Sequence, residues 1–80
     1  MAFYLLCCTD VILNELSIGL SQKEIALTYA LAMKSEQAGD DKPDWKTINK
    51  AIADRWTTDG LTYVKVLARR NLKRQQETEL

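Results

Sequence analysis

Residues 44–74 decide the fold, and they read DWKTINKAIADRW (44–56), TTDG (57–60) and LTYVKVLARRNLKR (61–74). In the first stretch, apolar residues recur every three or four positions, the spacing that places side chains on one stripe of an α-helix. These residues are Trp45, Ile48, Ile52 and Trp56. The last stretch repeats that spacing at Leu61, Val64, Ala68 and Leu72, with Leu67 beside them. The sequence therefore predicts two amphipathic helices, at about 44–56 and 59–76, joined by a short turn.

The second of these helices carries polar and basic residues opposite its apolar stripe. The residues on that face are Thr62, Lys65, Arg69 and Lys73. Charge is also segregated along the chain, whose net charge is zero: residues 1–41 hold two lysines and six acidic residues, whereas residues 42–74 hold nine Lys or Arg and three Asp. A basic half within a neutral chain indicates a polyanionic partner. The alternative is a solvated helix surface whose charges are segregated by chance.

Two helices joined by about four residues, the second with an apolar back and a basic front, are typical of a helix-turn-helix. Over residues 52–70 the spelling IADRW, TT and VLARR resembles the helix-turn-helix of LacI-type repressors. The resemblance puts Ile52 at the first core position, Ala53 where the helices touch, and Trp56 at the last core position before the turn. The sequence departs from the family at Thr57, where the family usually has a glycine. The difference matters, because glycine adopts a left-handed backbone freely whereas threonine adopts it only at an energetic cost.

The resemblance and the helical periodicity disagree about which side of the second helix faces inward. An ungapped match to the family buries Tyr63 and Val66, whereas the periodicity buries Val64 and Leu67. We follow the periodicity, because buried apolar surface contributes about 25 cal/mol per Å². A turn one residue longer than the family's would reconcile the two patterns and would remove the need for glycine at position 57.

These patterns predict a small DNA-binding protein that regulates transcription and uses the helix at about 59–76 for recognition. Thr62 and Lys65 are expected at base edges, and Arg69 is expected to make a bidentate contact with guanine. The remaining basic residues are expected to hold phosphates. They are Arg70, Lys73, Arg74, Lys46 and Lys50. Each of them alone could equally be a solvated side chain; their shared sign and face favour the group. RNA ranks below duplex DNA as the partner.

Two further helices are predicted before this pair, which makes the chain an all-α, small four-helix bundle with a single domain over residues 1–80. The first helix covers residues 3–16 and ends before Gly19. The second runs to about Gln37 and begins with a capping box formed by Ser21 and Glu24.

A loop at residues 38–43, AGDDKP, follows the second helix. Either Asp44 or Asp41 caps the next helix, and residues 77–80 are expected to fray.

The second predicted helix is apolar around nearly its whole circumference, from Ile25 to Met33. A helix with this composition is buried in the core or shared with another subunit. A domain of this size can hardly enclose one helix completely, so a homodimer contact through Leu27 and Leu31 is the alternative to full burial.

Composition argues against several other classes of protein. The chain has no histidine, and its two cysteines are adjacent, so the sequence predicts no enzyme, no metal site and no cofactor. No apolar run approaches the roughly 20 residues of a membrane span, so no membrane partner is expected. Reduced cysteines indicate an intracellular protein, cytoplasmic or nucleoid-associated. The alternative function is a non-enzymatic helical module for protein interaction or dimerisation, whose basic helix meets an acidic surface.

Overall fold

The computed structural model describes residues 8–39 and 42–78, and this part of the chain contains three α-helices and no strand. They are α1 (Cys8–Ser17), α2 (Gln22–Gln37) and α3 (Trp45–Thr78). The all-α prediction is confirmed, whereas the predicted count of four helices is not matched, because α3 spans both members of the predicted helix-turn-helix pair. The start of the first helix at residue 3, the Asp41 cap and the end of the frayed tail lie outside the described residues.

The turn between α1 and α2 follows the predicted glycine stop. Gly19 has a φ of 83°, and its amide donates to the carbonyl of Leu16 at 3.2 Å, while the amide of Leu20 donates to the carbonyl of Glu15 at 3.3 Å. These two bonds satisfy carbonyls that the end of α1 leaves unpaired, in the pattern of a Schellman motif. Gly19 is therefore required for its backbone conformation.

The predicted capping box at the start of α2 is confirmed. The hydroxyl of Ser21 accepts from the amide of Glu24 at 3.3 Å, and the carboxylate of Glu24 accepts from the amide of Ser21 at 3.1 Å. The backbone amide of Ser21, and then its hydroxyl, lower the pKa of Glu24, because both donate to the ionised carboxylate. Both groups at this helix end are thus paired locally.

Asp44 caps α3, which resolves the choice between the two aspartates. Its carboxylate accepts from the amide and the hydroxyl of Thr47, at 3.2 and 2.7 Å, and these bonds lower the pKa of Asp44. The amide of Asp44 in turn donates to the hydroxyl of Thr9 at 2.6 Å. The start of α3 is therefore attached to α1.

Helix α3 folds back on itself at Thr57. Thr57 alone within the helix has non-helical angles, with φ 74° and ψ 173°. A straight helix of 34 residues would be about 50 Å long, yet the longest dimension of the molecule is 35 Å. Thr57 therefore divides α3 into two segments, here named α3N (residues 45–56) and α3C (residues 58–78).

The predicted four-residue turn is wrong, and so is the longer turn invoked to excuse the missing glycine, because Thr58, Asp59 and Gly60 are already helical. Gly60 explains how so short a connection is possible. It is buried, and a Cβ there would overlap the Cβ of Trp56 and lie 2.9 Å from the side-chain nitrogen of Gln22. The absence of a side chain lets the two segments touch directly at the corner.

Both segments of α3 contribute to one hydrophobic core. The buried apolar side chains of α3 are Ile48, Ile52, Val64, Ala68 and Leu72, with Trp45, Trp56, Leu61 and Leu67 partly buried around them. They pack against Ile12 and Leu16 of α1 and against a stripe of α2 centred on Ile25, Tyr29 and Ala30. The inward face of α3C predicted from the periodicity is therefore confirmed. The ungapped family match is wrong there, since Tyr63 is 45% and Val66 is 43% exposed.

One arginine ties the corner of α3 to the first helix. The guanidinium of Arg55 donates to the carbonyl of Leu16 at 2.9 Å and lies over the ring of Trp56, 5.0 Å from its centroid. A cation at the carboxyl end of a helix is favourable there, because it offsets the negative end of the helix dipole. The corner is thus held by packing and by a hydrogen bond that Arg55 donates to α1.

Candidate nucleic-acid interface

The buried stripe of α3C determines which of its side chains face solvent. Val64 and Ala68 are fully buried, so the opposite side of the segment points away from the protein. The predicted site residues exposed on α3C are Thr62, Arg69, Arg70, Lys73 and Arg74. The structure therefore keeps most of the predicted recognition face accessible.

Lys65 is the exception, because it is half-buried on the flank of α3C that faces α2. Lys65 and Arg69 line a cavity of about 200 Å³ at the junction of α2 and α3. The other lining residues are Tyr29, Met33, Glu36 and Trp45. These side chains from α2 and α3N cover part of the stem of Lys65. Lys65 is therefore less accessible than the helical periodicity predicts.

Aromatic rings and a carboxylate form the far wall of this cavity. The rings of Tyr29 and Trp45 lie 4.6 Å apart, and the indole nitrogen of Trp45 donates to the carboxylate of Glu36 at 2.8 Å. The hydroxyl of Tyr29 donates to the side-chain oxygen of Asn49 at 2.9 Å. Each polar atom named here thus has a partner within the protein.

Arg69 and Glu36 act in opposite directions on the phenol in this cavity. Burial raises the pKa of Tyr29, the positive charge of Arg69 works against that rise, and the negative charge of Glu36 adds to it. Within the described residues, Lys65 and Arg69 share the cavity with Glu36 but form no ion pair with it. Arg69 is exposed, so its guanidinium can reach an anion outside the protein.

The opposite flank of α3C borders a second and larger depression, here named the basic groove, of about 410 Å³. Its principal lining residues are Lys23, Leu27, Tyr63, Leu67, Arg70 and Arg74. The groove brings Arg70 and Arg74 together with Lys23 of α2, which the sequence analysis did not include in the site. The sequence marks Lys23 as an exposed position of α2, but only the crossing of the two helices sets it beside Arg70.

The two lysines predicted on the preceding helix lie apart from these features. Lys46 and Lys50 are exposed on α3N, before the corner, and neither lines the cavity or the basic groove. They are four residues apart and share one face of α3N.

The first turn of α3C carries an acidic residue. Asp59 is exposed and lies three positions before Thr62, so the amino end of the segment has a negative side chain. The cations gather further along, at Arg69, Arg70 and Lys73. Attraction for a polyanion is therefore strongest along the carboxyl half of α3C.

No protein-family model, curated protein or solved structure matches this chain. Within residues 8–39 and 42–78, no helix is long and apolar enough to cross a membrane, and no cluster of three or more potential metal ligands is present.

Proposed function

We propose that the chain binds duplex DNA through the exposed face of α3C, as a small regulator of transcription. One observation carries the proposal: α3C turns Val64, Ala68 and Leu72 into the core and leaves Arg69 and Lys73 on the outside. A helix held rigidly in this way can offer its basic side to a groove without unfolding. The phosphate backbone attracts such a face through charge alone.

The backbone at Thr57 supports the resemblance to helix-turn-helix proteins in one respect. The family usually has a glycine at this position, as is typical of a residue with a positive φ, and Thr57 has a φ of 74°. The connection is nevertheless shorter than the three or four residues of the motif. The support therefore extends to the sharp corner between the helices, and the wider family assignment stays a prediction.

The residues take different roles in this proposal. Arg69 makes the bidentate contact with guanine, because its planar guanidinium matches the two acceptors of that base in the major groove. Arg70, Lys73 and Arg74 hold phosphates, and Lys46 and Lys50 add more distant phosphate contacts. Thr62 and Lys65, in the first half of α3C, approach the base edges. Their contribution to binding is the smallest, because Lys65 is half-buried and Asp59 places a negative charge near them.

A mobility-shift titration with random duplex DNA at several salt concentrations tests this proposal. If the five residues assigned to phosphates neutralise about five phosphates, the logarithm of the binding constant should fall against the logarithm of salt with a slope of about −4.5. Arg69→Glu/Lys73→Glu should abolish the shift, whereas Lys34→Glu/Lys42→Glu, which changes the net charge equally away from α3C, should retain it. Equal loss in both variants would show attraction by net charge alone and would refute the assignment to α3C. Competition with duplex RNA tests the lower-ranked partner.

Self-association through α2 is the second candidate, and it is favoured by exposed leucines. Leu27 is 48% and Leu31 is 55% exposed, one helical turn apart on the outer side of α2. Sedimentation velocity over a range of concentrations would detect a dimer, which Leu31→Glu should dissociate. Ile18→Glu, at a residue that is 64% exposed on the α1–α2 turn, provides the matched control. A monomer at all concentrations would exclude this candidate.

A further inference from the structure

The basic groove combines two helical stripes that face each other. On α3C, Tyr63, Leu67, Arg70 and Arg74 are spaced by four, three and four residues, so they follow one side of the helix. On α2, Lys23 and Leu27 are four residues apart and form the opposing wall. A depression between two helices has the shape that accepts a third helical or extended segment.

The floor and walls of the groove expose bulky apolar side chains. Leu27 and Tyr63 are each nearly half exposed, and Leu67 between them is only partly buried. Single exposed leucines are common on proteins, but three large apolar side chains around one depression form a contiguous surface. Covering it with a large apolar side chain would remove that surface from water.

Positive charge surrounds the apolar floor. Lys23, Arg70 and Arg74 line the groove, and its lining includes no carboxylate. The cavity on the other flank of α3C differs, because there Glu36 shares the space with Lys65 and Arg69. The basic groove is therefore complementary to a partner that is both apolar and negatively charged.

We infer that the basic groove binds an acidic peptide segment that carries a bulky apolar anchor. The anchor packs on Leu27, Tyr63 and Leu67, while flanking Asp or Glu side chains pair with Lys23 and Arg70. The volume of about 410 Å³ admits one or two large side chains. This interaction goes beyond the proposed binding of DNA: it shares Arg70 and Arg74 with the proposed DNA face but adds Lys23 and the apolar side chains of the groove.

Two other occupants fit the groove less well. A nucleic-acid backbone would satisfy the cations but would leave the leucines uncovered. A second copy of the chain, joined by a two-fold axis at this groove, would bring Lys23, Arg70 and Arg74 against their own equivalents, and like charges would then oppose association. The dimer considered above would therefore have its axis near Leu31, which does not line the groove.

Fluorescence anisotropy with a labelled synthetic peptide tests the inference. The probe is a peptide of about 12 residues, three helical turns, with Leu and Phe four positions apart among Asp and Glu. We expect saturable binding that weakens about tenfold or more in Leu27→Asp and in Arg70→Glu. Ile18→Asp and Lys42→Glu, which introduce the same side chains at exposed positions outside the groove, should bind as the parent does. Thermal melts of all four variants verify that each is folded.

A second peptide separates anchoring from simple charge attraction. Replacing its Leu and Phe by Ala keeps every carboxylate, and this peptide should bind at least tenfold more weakly. Equal binding of the two peptides would overturn the inference, because only the negative charge would then matter.

A neutral substitution separates this inference from the proposed function. Leu27→Ala should weaken peptide binding and leave the DNA mobility shift unchanged, because it removes apolar surface and alters no charge beside Arg70 and Arg74. If Leu27→Ala weakened DNA binding as strongly as peptide binding, the groove would be a nucleic-acid site and the peptide assignment would be wrong. Failure of DNA binding alone would leave the peptide result standing.

Discussion

The chain reverses between α1 and α2 at Gly19, and it bends again inside α3 at Thr57. Both residues have a positive φ, 83° and 74° respectively. At the first turn the residue is glycine, which adopts that backbone freely, and the capping box of Ser21 and Glu24 follows at once. At the second, the residue is a β-branched threonine with a ψ of 173°, a combination that is almost confined to glycine.

The two bends are stabilised in different ways. The α1–α2 turn is favoured by the residues that form it, because glycine and the serine cap both favour the observed backbone. The corner at Thr57 is stabilised by packing: Gly60 lies directly against Trp56, and both segments of α3 bury their apolar side chains in one core with α1 and α2. Local preference opposes this second bend, and tertiary packing overcomes that preference.

Gly60→Ala should have the largest effect on stability, because it disrupts the corner of α3. The added Cβ would overlap that of Trp56, so we expect a loss of about 3 kcal/mol in the free energy of unfolding, the upper end of the cost of overpacking. Gly39→Ala is the matched control: its φ is 82° but no atom lies within 4 Å, so its cost should be about 1 kcal/mol. Urea denaturation measures both, and similar losses would show that the corner does not depend on this contact.

Thr57→Gly should change the free energy of unfolding in the opposite direction. Glycine removes a backbone strain of about 1–3 kcal/mol, offset in part by its greater freedom in the unfolded chain. We therefore expect a gain of about 1 kcal/mol in the free energy of unfolding. Thr58→Gly, one residue later and inside α3C, should lose about 1 kcal/mol. A loss in both variants would mean that Thr57 is not strained.

Ser21→Ala tests the local encoding of the first turn. It removes the hydroxyl that accepts from the amide of Glu24, and the expected cost is about 1 kcal/mol in thermal or urea unfolding. Ser17→Ala is the control, since the exposed hydroxyl of Ser17 donates to the carbonyl of Asn14 within its own helix and should matter little. A neutral Ser21→Ala would indicate that packing, and not the cap, holds this turn.

The smallest expected effect is on the acid sensitivity of the two helix caps. The pKa values of Glu24 and Asp44 are both lowered in the folded protein, so the unfolded chain binds protons more readily than the folded one. The stabilisation they provide is present above the ordinary carboxyl pKa of about 4 and is lost as the pH falls below it. Glu24→Gln retains an accepting oxygen but does not titrate, so its stability should decline less between pH 5 and pH 3, as followed by urea denaturation at each pH.

Periodicity predicted much of the fold and part of the candidate site. The intervals between Ile48 and Ile52 and between Val64 and Ala68 identified the faces that pack in the core, because a helix brings such residues to one side whatever surrounds it. The same intervals left Arg69 and Lys73 outward. The capping box of Ser21 and the stop at Gly19 were equally readable, since each acts through its own neighbours in the chain.

The surroundings of the basic residues were not predictable in this way. The periodicity of α3C alone could not reveal that Lys65 lies on a flank beside Glu36, nor that Lys23 joins Arg70 in a groove. Both depend on the angle at which α2 crosses α3C. That angle follows from how the two surfaces fit, and a pattern within one helix carries no information about it.

The sequence by itself determined that this protein is helical, which sides of its helices are apolar, where α2 begins and which end of the chain is basic. These properties depend on interactions between residues a few positions apart. Tertiary structure alone decided that the last two predicted helices meet at a single strained residue, and that α3C has one flank shared with a carboxylate and another bordered by cations and leucines. The physical reason is that these features arise from contacts between distant segments, whose packing is strong enough to override the local preference of Thr57.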